Sequence, residues 1–281
     1  MEKKKEIIIV PQGGIANRLR ALMSAYTLAI NLNRPLKILW VRDNELNASF
    51  SDIFQQKCEF YQIEEISQLK FLLRYSPPRK KNVFISYLIQ SLYDYYYFNQ
   101  IGKRSIFPSK EQWLSGFNDK SFIIVSGSSF FDYDPALINT VFPISNIVRN
   151  RVSEILKRKM PQFAIHIRRT DNELSIKYSP IDLFVETIDY ELSKNREALF
   201  FLATDDESVK KTLIKKYPNN IIFNLVPANR KTSKGIIDGM SELEIISQCD
   251  IIYGSYWSSF TEIAAQKGNK KLIVLKTSIP S

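Results

Sequence analysis

Short apolar runs with no polar alternation recur along this chain, each followed by a stretch of helical spacing. The first is Ile7-Ile8-Ile9-Val10. A strand with one wet face alternates apolar and polar residues, so an unbroken apolar run predicts a strand buried on both faces. Pro11-Gln12-Gly13-Gly14 stops the run, and Ile15, Leu19, Leu22, Tyr26 and Ala29 then recur at helical spacing through Ile30. Asn33-Arg34-Pro35 ends that helix, and Leu36-Lys37-Ile38-Leu39-Trp40 supplies the next strand, which completes a β-α-β unit. Phe122-Ile123-Ile124-Val125 returns as a buried strand, Asp134-Pro135 and Phe142-Pro143 interrupt the chain, and a helix follows over 146–159. Beyond it the alternation is regular, with strands at 163–167, 199–203, 221–224, 251–253 and 272–275 and helices at 180–192, 206–216, 241–248 and 260–267.

Strands joined by helical crossovers make parallel sheets. The expected class is therefore α/β, with two Rossmann-like domains, 1–145 and 146–281, whose parallel sheets face a cleft. Helical insertions are expected over 50–117, where regular signals are few. The aromatic patch Tyr93–Phe98 inside it reads as core packing, as a stacking platform for a sugar, or as a membrane-surface contact.

At 281 residues the chain holds one large domain or two compact ones, and 44% hydrophobic with 24% charged residues is an ordinary globular balance. Its apolar runs fall far short of the ~20 residues that span a bilayer. The two cysteines, Cys58 and Cys249, build neither a disulfide framework nor a Cys-rich metal site, so a soluble protein of a reducing, cytoplasmic compartment is expected. His166 is the only histidine, which excludes His-rich zinc chemistry and leaves one possible base for a Ser-His-Asp triad. Thirty-nine Lys plus Arg against 29 Asp plus Glu give +10, a balance that favours an anionic partner: nucleic acid, an anionic membrane or a phosphorylated small molecule.

The densest polar cluster is His166-Ile167-Arg168-Arg169-Thr170-Asp171-Asn172, at the carboxyl end of a predicted strand. Ligands of open α/β sheets bind at that end, and adjacent guanidiniums suit bidentate recognition of phosphate, with a pair of surface salt bridges as the lesser alternative. Thr204-Asp205-Asp206-Glu207 reads as a capping box with Thr204 at the N-cap and Glu207 at N3; Asp205 and Asp206 could instead orient an arginine or chelate a divalent cation. Ser259-Phe260-Thr261-Glu262 is a second box, which makes Ser258 and Ser259 phosphate-binding candidates at a helix N-terminus. Gly13 and Gly14 form a tight turn ahead of Asn17 and Arg18, and cations in a first helical turn oppose the dipole unless an anion sits there.

His166-Ile167-Arg168-Arg169-Thr170-Asp171 resembles the His-x-Arg-Arg-x-Asp motif of the fucosyltransferase superfamily that includes the α1,6-, α1,2- and protein O-fucosyltransferases, most closely the bacterial nodulation type. In the same order, Phe201–Glu207 and Leu243–Asp250 leading into Gly254–Phe260 resemble further family stretches, and Gly13–Leu22 is similar to the family's Gly-rich turn with its Asn. The resemblance implies a GT-B glycosyltransferase that inverts the anomeric carbon, takes GDP-fucose as donor and requires no metal or other cofactor. Its acceptor would be an oligosaccharide or lipid-linked glycan, in bacterial polysaccharide synthesis at the inner face of the membrane, with peripheral membrane association and no nucleic acid. By the same resemblance Arg169 serves the β-phosphate and Arg168 its neighbour, or the reverse, with His166 beside the donor. Asp238 resembles the guanine-binding Asp, but its spacing to Ser247-Gln248-Cys249-Asp250 is long and Glu242 competes for the role. Asp171 and Glu173 are the candidates for general base, and Asn172 stands where the α1,6 enzymes carry Lys. Two other classes accommodate the charge: a basic nucleic-acid-binding protein, for which no helix-turn-helix, RNP or zinc-finger signature is present, and a non-catalytic nucleotide-binding protein.

Overall fold

The computed structural model describes residues 6–77, 83–99, 107–116, 120–170, 172–226 and 229–278. Contacts divide the chain into two units: Met1–Pro143 with Arg230–Ser233, and Ile144–Asn229 with Lys234–Ser281. Each is an α/β unit with a five-stranded, wholly parallel sheet.

The first unit contains β1 (Ile7–Pro11), α1 (Ile15–Asn31), β2 (Leu36–Arg42), α2 (Phe50–Ile53), β3 (Tyr61–Ser67), α3 (Gln68–Arg74), α4 (Val83–Gln90), β4 (Tyr95–Asn99), α5 (Lys110–Gly116), β5 (Phe122–Ser126) and α6 (Ile138–Val141). Its strand order is β3-β2-β1-β5-β4. The central β1 and β5 are buried along their whole length, as their unbroken apolar runs require. Over 50–117, where the sequence suggests helical insertions, the sheet gains both its edge strands, β3 and β4. Gln62, Glu64 and Glu65 make β3 too polar to read as a buried strand, yet an edge strand tolerates them, and Glu64 pairs with Lys37 of β2 at 2.7 Å. The tyrosine-rich patch is β4: Tyr95 stacks on Phe122 of β5 (5.7 Å), Tyr97 packs against Trp113 (5.2 Å), and the Tyr96 hydroxyl donates to the Tyr75 carbonyl (2.7 Å). Cross-strand aromatic packing accounts for that composition.

The second unit contains α7 (Asn146–Leu156), β6 (Phe163–Ile167), α8 (Glu173–Tyr178), α9 (Ile181–Lys194), β7 (Phe200–Thr204), α10 (Glu207–Lys216), β8 (Ile221–Phe223), α11 (Ser233–Gln248), β9 (Ile251–Ser255), α12 (Ser259–Gly268) and β10 (Lys271–Leu275), in the order β10-β9-β6-β7-β8. Helix α11 begins eight residues before its expected start at 241, through Gly235 and Gly239. Gly235 is there for close approach rather than as a helix breaker, since a Cβ would lie 1.9 Å from the Asn229 carbonyl oxygen.

Candidate functional site

From β6 the chain of the second unit runs outward through β7 to β8, then returns to lay β9 on the other side of β6. Crossovers therefore diverge between β6 and β9, and at such a switch point the loops leave a crevice at the carboxyl ends of the strands. Arg168 directly follows β6 and Ser255 ends β9; the Arg168 N–H donates to Ser255 Oγ (3.0 Å), whose hydroxyl donates to the His166 carbonyl (3.3 Å). On the other flank Asp205 follows β7. Its carboxylate accepts from the backbone N–H groups of Arg169 (2.8 Å) and Thr170 (3.3 Å) and from the Thr170 hydroxyl (2.8 Å), and it pairs with the Arg168 guanidinium at 2.6 Å. The loop after β6 is thus held from both sides.

The two arginines point to different tasks. Arg169 is 7% exposed and its guanidinium donates to the carbonyls of Ser175 (3.4 Å) and Ser179 (2.5 Å), bracing the ends of α8, while burial lowers its pKa. Arg168 keeps 19% side-chain exposure beside Asp205. Adjacent residues leaving a strand face opposite ways, and Arg169 turns inward, its two terminal nitrogens on backbone carbonyls and its Nε buried without a partner.

His166 ends up against α12, its ring stacked on Phe260 at 5.0 Å. It is 7% exposed and its Nδ1 has no hydrogen-bond partner. Burial pushes its pKa down to about 4, with the neighbouring Arg168 charge adding to the effect, so the ring is neutral near pH 7. The N-cap of α12 is Ser258, extended and 6% exposed, whose side chain makes no cap hydrogen bond; Ser259 is already inside the helix, so the expected box from Ser259 to Glu262 is absent. The helix rests close on β9, because a Cβ at Gly254 would come within 2.9 Å of the Thr261 side chain. Its first N–H groups and positive dipole end stand beside His166, which stacks on Phe260 of the first turn, and a helix N-terminus attracts an anion.

The box at Thr204 is also shifted. Asp206 is the N-cap of α10, its Oδ1 accepting from the N–H groups of Ser208 (2.8 Å) and Val209 (3.2 Å), which with the Ser208 hydroxyl hold its carboxyl below the usual range. Thr204 Oγ1 instead accepts from the Asp206 N–H (3.2 Å), and Glu207 pairs with Lys210 (2.7 Å). A carboxylate is a stronger acceptor than a hydroxyl, so the aspartate takes the cap. Asp205 and Asp206 accordingly serve separate partners, and among the described residues no three His, Cys, Asp or Glu side chains gather as metal ligands. Asn172 caps α8, accepting from the Ser175 N–H (3.0 Å) and donating to the Trp257 carbonyl (3.0 Å), while Glu173 opens the helix exposed. Asp171 lies outside the described residues.

A second polar cluster gathers where β8 ends. Asp238 of α11 is 2% exposed and accepts from Arg151 Nε at 2.6 Å, and Arg151 Nη2 donates to Asn224 Oδ1 at 2.8 Å. Glu242, one turn further along α11, is half-buried, and desolvation raises its pKa to about 7 against the opposing influence of Lys210 and Asn224. Arg151, Asn224 and Lys210 carry no motif and escape sequence reasoning; a polar Asn closing an apolar strand is the one signal that marks Asn224.

In the first unit, Gly13 takes φ +83°, a conformation that favours glycine, and Gly14 is the N-cap of α1, where no side chain caps the helix. Asn17 is half-buried, with its side chain against Gly13. Arg18 is fully buried: it donates to the carbonyls of Gly13 (2.8 Å) and Val41 (2.6 Å), pairs with Asp43 (2.9 Å) and lies over Trp40 (4.7 Å). The anion opposite Arg18 is the protein's own carboxylate, which corrects its expected role toward a ligand.

No protein-family model matches the chain, and no curated protein matches it in sequence. Among solved structures it is similar to NodZ α-1,6-fucosyltransferase co-crystallised with GDP (TM-score 0.57, 15% identity, covering 93% of this chain and 92% of that one). It is similar also to fucosyltransferase NodZ from Bradyrhizobium (0.59, 14%, 93% and 92%) and to POFUT1 in complex with GDP (0.59, 11%, 98% and 99%). At such identities the likeness is one of fold, and the two parallel five-stranded sheets of this chain make it α/β of the GT-B type.

Proposed function

We propose that the protein is an inverting glycosyltransferase that moves fucose from GDP-fucose to a hydroxyl of an oligosaccharide or lipid-linked glycan without a metal ion. The observation that carries this reading is the β6/β9 switch point, which gathers Arg168 held on Asp205, the N-terminus of α12 that Ser258 leaves without a side-chain cap, and the unpartnered His166 Nδ1. The fold is one that GDP-bound fucosyltransferases share along nearly their whole length.

As the glycosidic bond breaks, negative charge builds on the departing diphosphate, and fixed cations and N–H groups stabilise what the transition state develops. In this scheme Arg168 and the α12 N-terminus at Ser258 and Ser259 take the diphosphate, while Arg169 and Asp205 are positioning residues that hold the loop. Asp238 or Glu242 is the reader of guanine, whose N1–H and 2-amino donors match one carboxylate; Arg151 holds Asp238 Oδ1, while Asp238 Oδ2 is buried without a partner. Glu173 or Asp171 is the general base.

The test is release of GDP from GDP-fucose by the purified protein in EDTA, with GDP-mannose and UDP-sugars as controls, followed by transfer onto an acceptor. GDP release selective for GDP-fucose is expected, with a product whose anomeric configuration is opposite to the donor's by NMR. Absence of release above the blank would leave a nucleotide-binding protein without turnover; release only after addition of Mn²⁺ would overturn the metal-free scheme.

A further inference from the structure

Helix α4 turns apolar residues outward. Its inner face is mixed: Ser86 is fully buried, donates to the Ser76 carbonyl (2.8 Å) and accepts from the Gln90 amide (2.8 Å), and Ile89 joins the apolar cluster beneath the sheet. Its outer face carries Phe84, Ile85, Tyr87 and Leu88, of which Phe84 is 90% exposed and Tyr87 and Leu88 are 59% exposed. Residues three and four apart share a side of a helix, so Phe84, Tyr87 and Leu88 form one apolar surface where a soluble domain ordinarily presents polar residues. Helix α3, in contact with α4, adds Leu69 and Leu72, 66% and 39% exposed. A contiguous exposed apolar patch marks an interaction surface.

Charge identifies the partner. From Ile66 through Tyr93 the sequence contains no Asp or Glu, yet it holds Lys70, Arg74, Arg79, Lys80 and Lys81. Glu64 engages Lys70, and Arg74 is exposed in the last turn of α3, so the stretch keeps a net positive charge. Aromatic and aliphatic side chains on a short helix, set in a cationic segment, combine the two attractions of interfacial binding: apolar insertion and neutralisation of anionic headgroups. Among the described residues no helix is long and apolar enough to cross a membrane.

We propose that the α3–α4 surface docks the protein on an anionic lipid bilayer, with Phe84, Tyr87 and Leu88 seated at the level of the headgroups. This is independent of the donor reading, because neither helix contributes a residue to the site after β6.

Co-sedimentation of the full chain with extruded vesicles tests it. Equimolar phosphatidylcholine and phosphatidylglycerol should bind the protein at least about tenfold more than phosphatidylcholine alone, and added salt should weaken the binding. Phe84→Ser combined with Leu88→Ser should lower binding by about tenfold or more at an unchanged melting temperature, both side chains being exposed. Arg74→Glu should lower it severalfold while leaving the apolar face intact. Failure to bind the anionic vesicles, or equal binding by parent and double variant, overturns the proposal. So does a parent dimer that the double variant disperses to monomer in sedimentation equilibrium, which would assign the face to a second copy of the chain.

Discussion

The Arg168 guanidinium is held at 2.6 Å by the Asp205 carboxylate, and the same carboxylate takes the backbone N–H of Arg169 at 2.8 Å. One acid from β7 therefore aims two consecutive basic residues from β6, sending the first toward the crevice while the second turns inward to the carbonyls of α8.

Lysine substitutions should separate the two. Arg168→Lys keeps the charge and loses the planar fork; on the proposed reading kcat falls by roughly 10²- to 10³-fold, about 3–4 kcal/mol, at a nearly constant melting temperature. Arg169→Lys strands a buried carbonyl acceptor and should lower stability by about 1–3 kcal/mol. Denaturation curves beside steady-state kinetics check both, and the opposite pattern would return the diphosphate role to Arg169.

If Glu242 is the guanine reader of the proposed scheme, it sets a pH dependence for nucleotide binding. With its pKa raised to about 7, the free protein holds a proton there below neutrality, whereas guanine needs the carboxylate as acceptor. GDP affinity should rise as pH rises through about 7, with proton release on binding, and GDP should bind more tightly than UDP or ADP. Calorimetry in buffers of different ionisation enthalpy reads the release. Glu242→Gln should flatten the profile and weaken GDP specifically; a flat profile in the parent sinks the assignment.

His166 should make the fold sensitive to acid. Its pKa falls from the ordinary 6.5 to about 4 on folding, so between those values the unfolded chain binds the proton and the native state does not. The contribution is fully present above pH 6.5 and is lost as pH falls toward 4, by at most about 3 kcal/mol. Glu242, raised on folding, acts with the opposite sign over an overlapping range. The comparison of parent with His166→Phe, which preserves stacking on Phe260, isolates the histidine: the parent's urea midpoint should fall relative to the variant's as pH drops. Parallel curves would mean that the ring is protonated in the native state.

Arg18 and Asp43 form a buried pair whose loss leaves an uncompensated guanidinium. Asp43→Ala should destabilise the protein by about 3–5 kcal/mol, whereas an Arg18 that served a ligand would tolerate it and gain stability from added phosphate. A melting series with and without phosphate distinguishes these outcomes.

The sequence alone determined the strands and their parallel class. Runs such as Ile7–Val10 and Phe122–Val125 have only one way to hide both faces, and the expected elements of the second unit fall within a few residues of their bounds, α11 excepted, while α8 carries no signal that marked it in advance. That Arg168 and Ser258 lie just past the ends of β6 and β9 was legible for the same local reason: an apolar strand ends where polar residues begin. What only the tertiary structure decided is which partner each polar group takes. Strand order placed the switch point between β6 and β9, Asp205 divided Arg168 from Arg169, Asp43 claimed Arg18, and Arg151, 87 residues away in sequence, claimed Asp238. Edge strands β3 and β4 belong to the same category. Periodicity records how an element buries its own side chains, but charge pairing and edge pairing depend on residues distant in the chain, and their free energies are decided by burial that only the assembled fold creates.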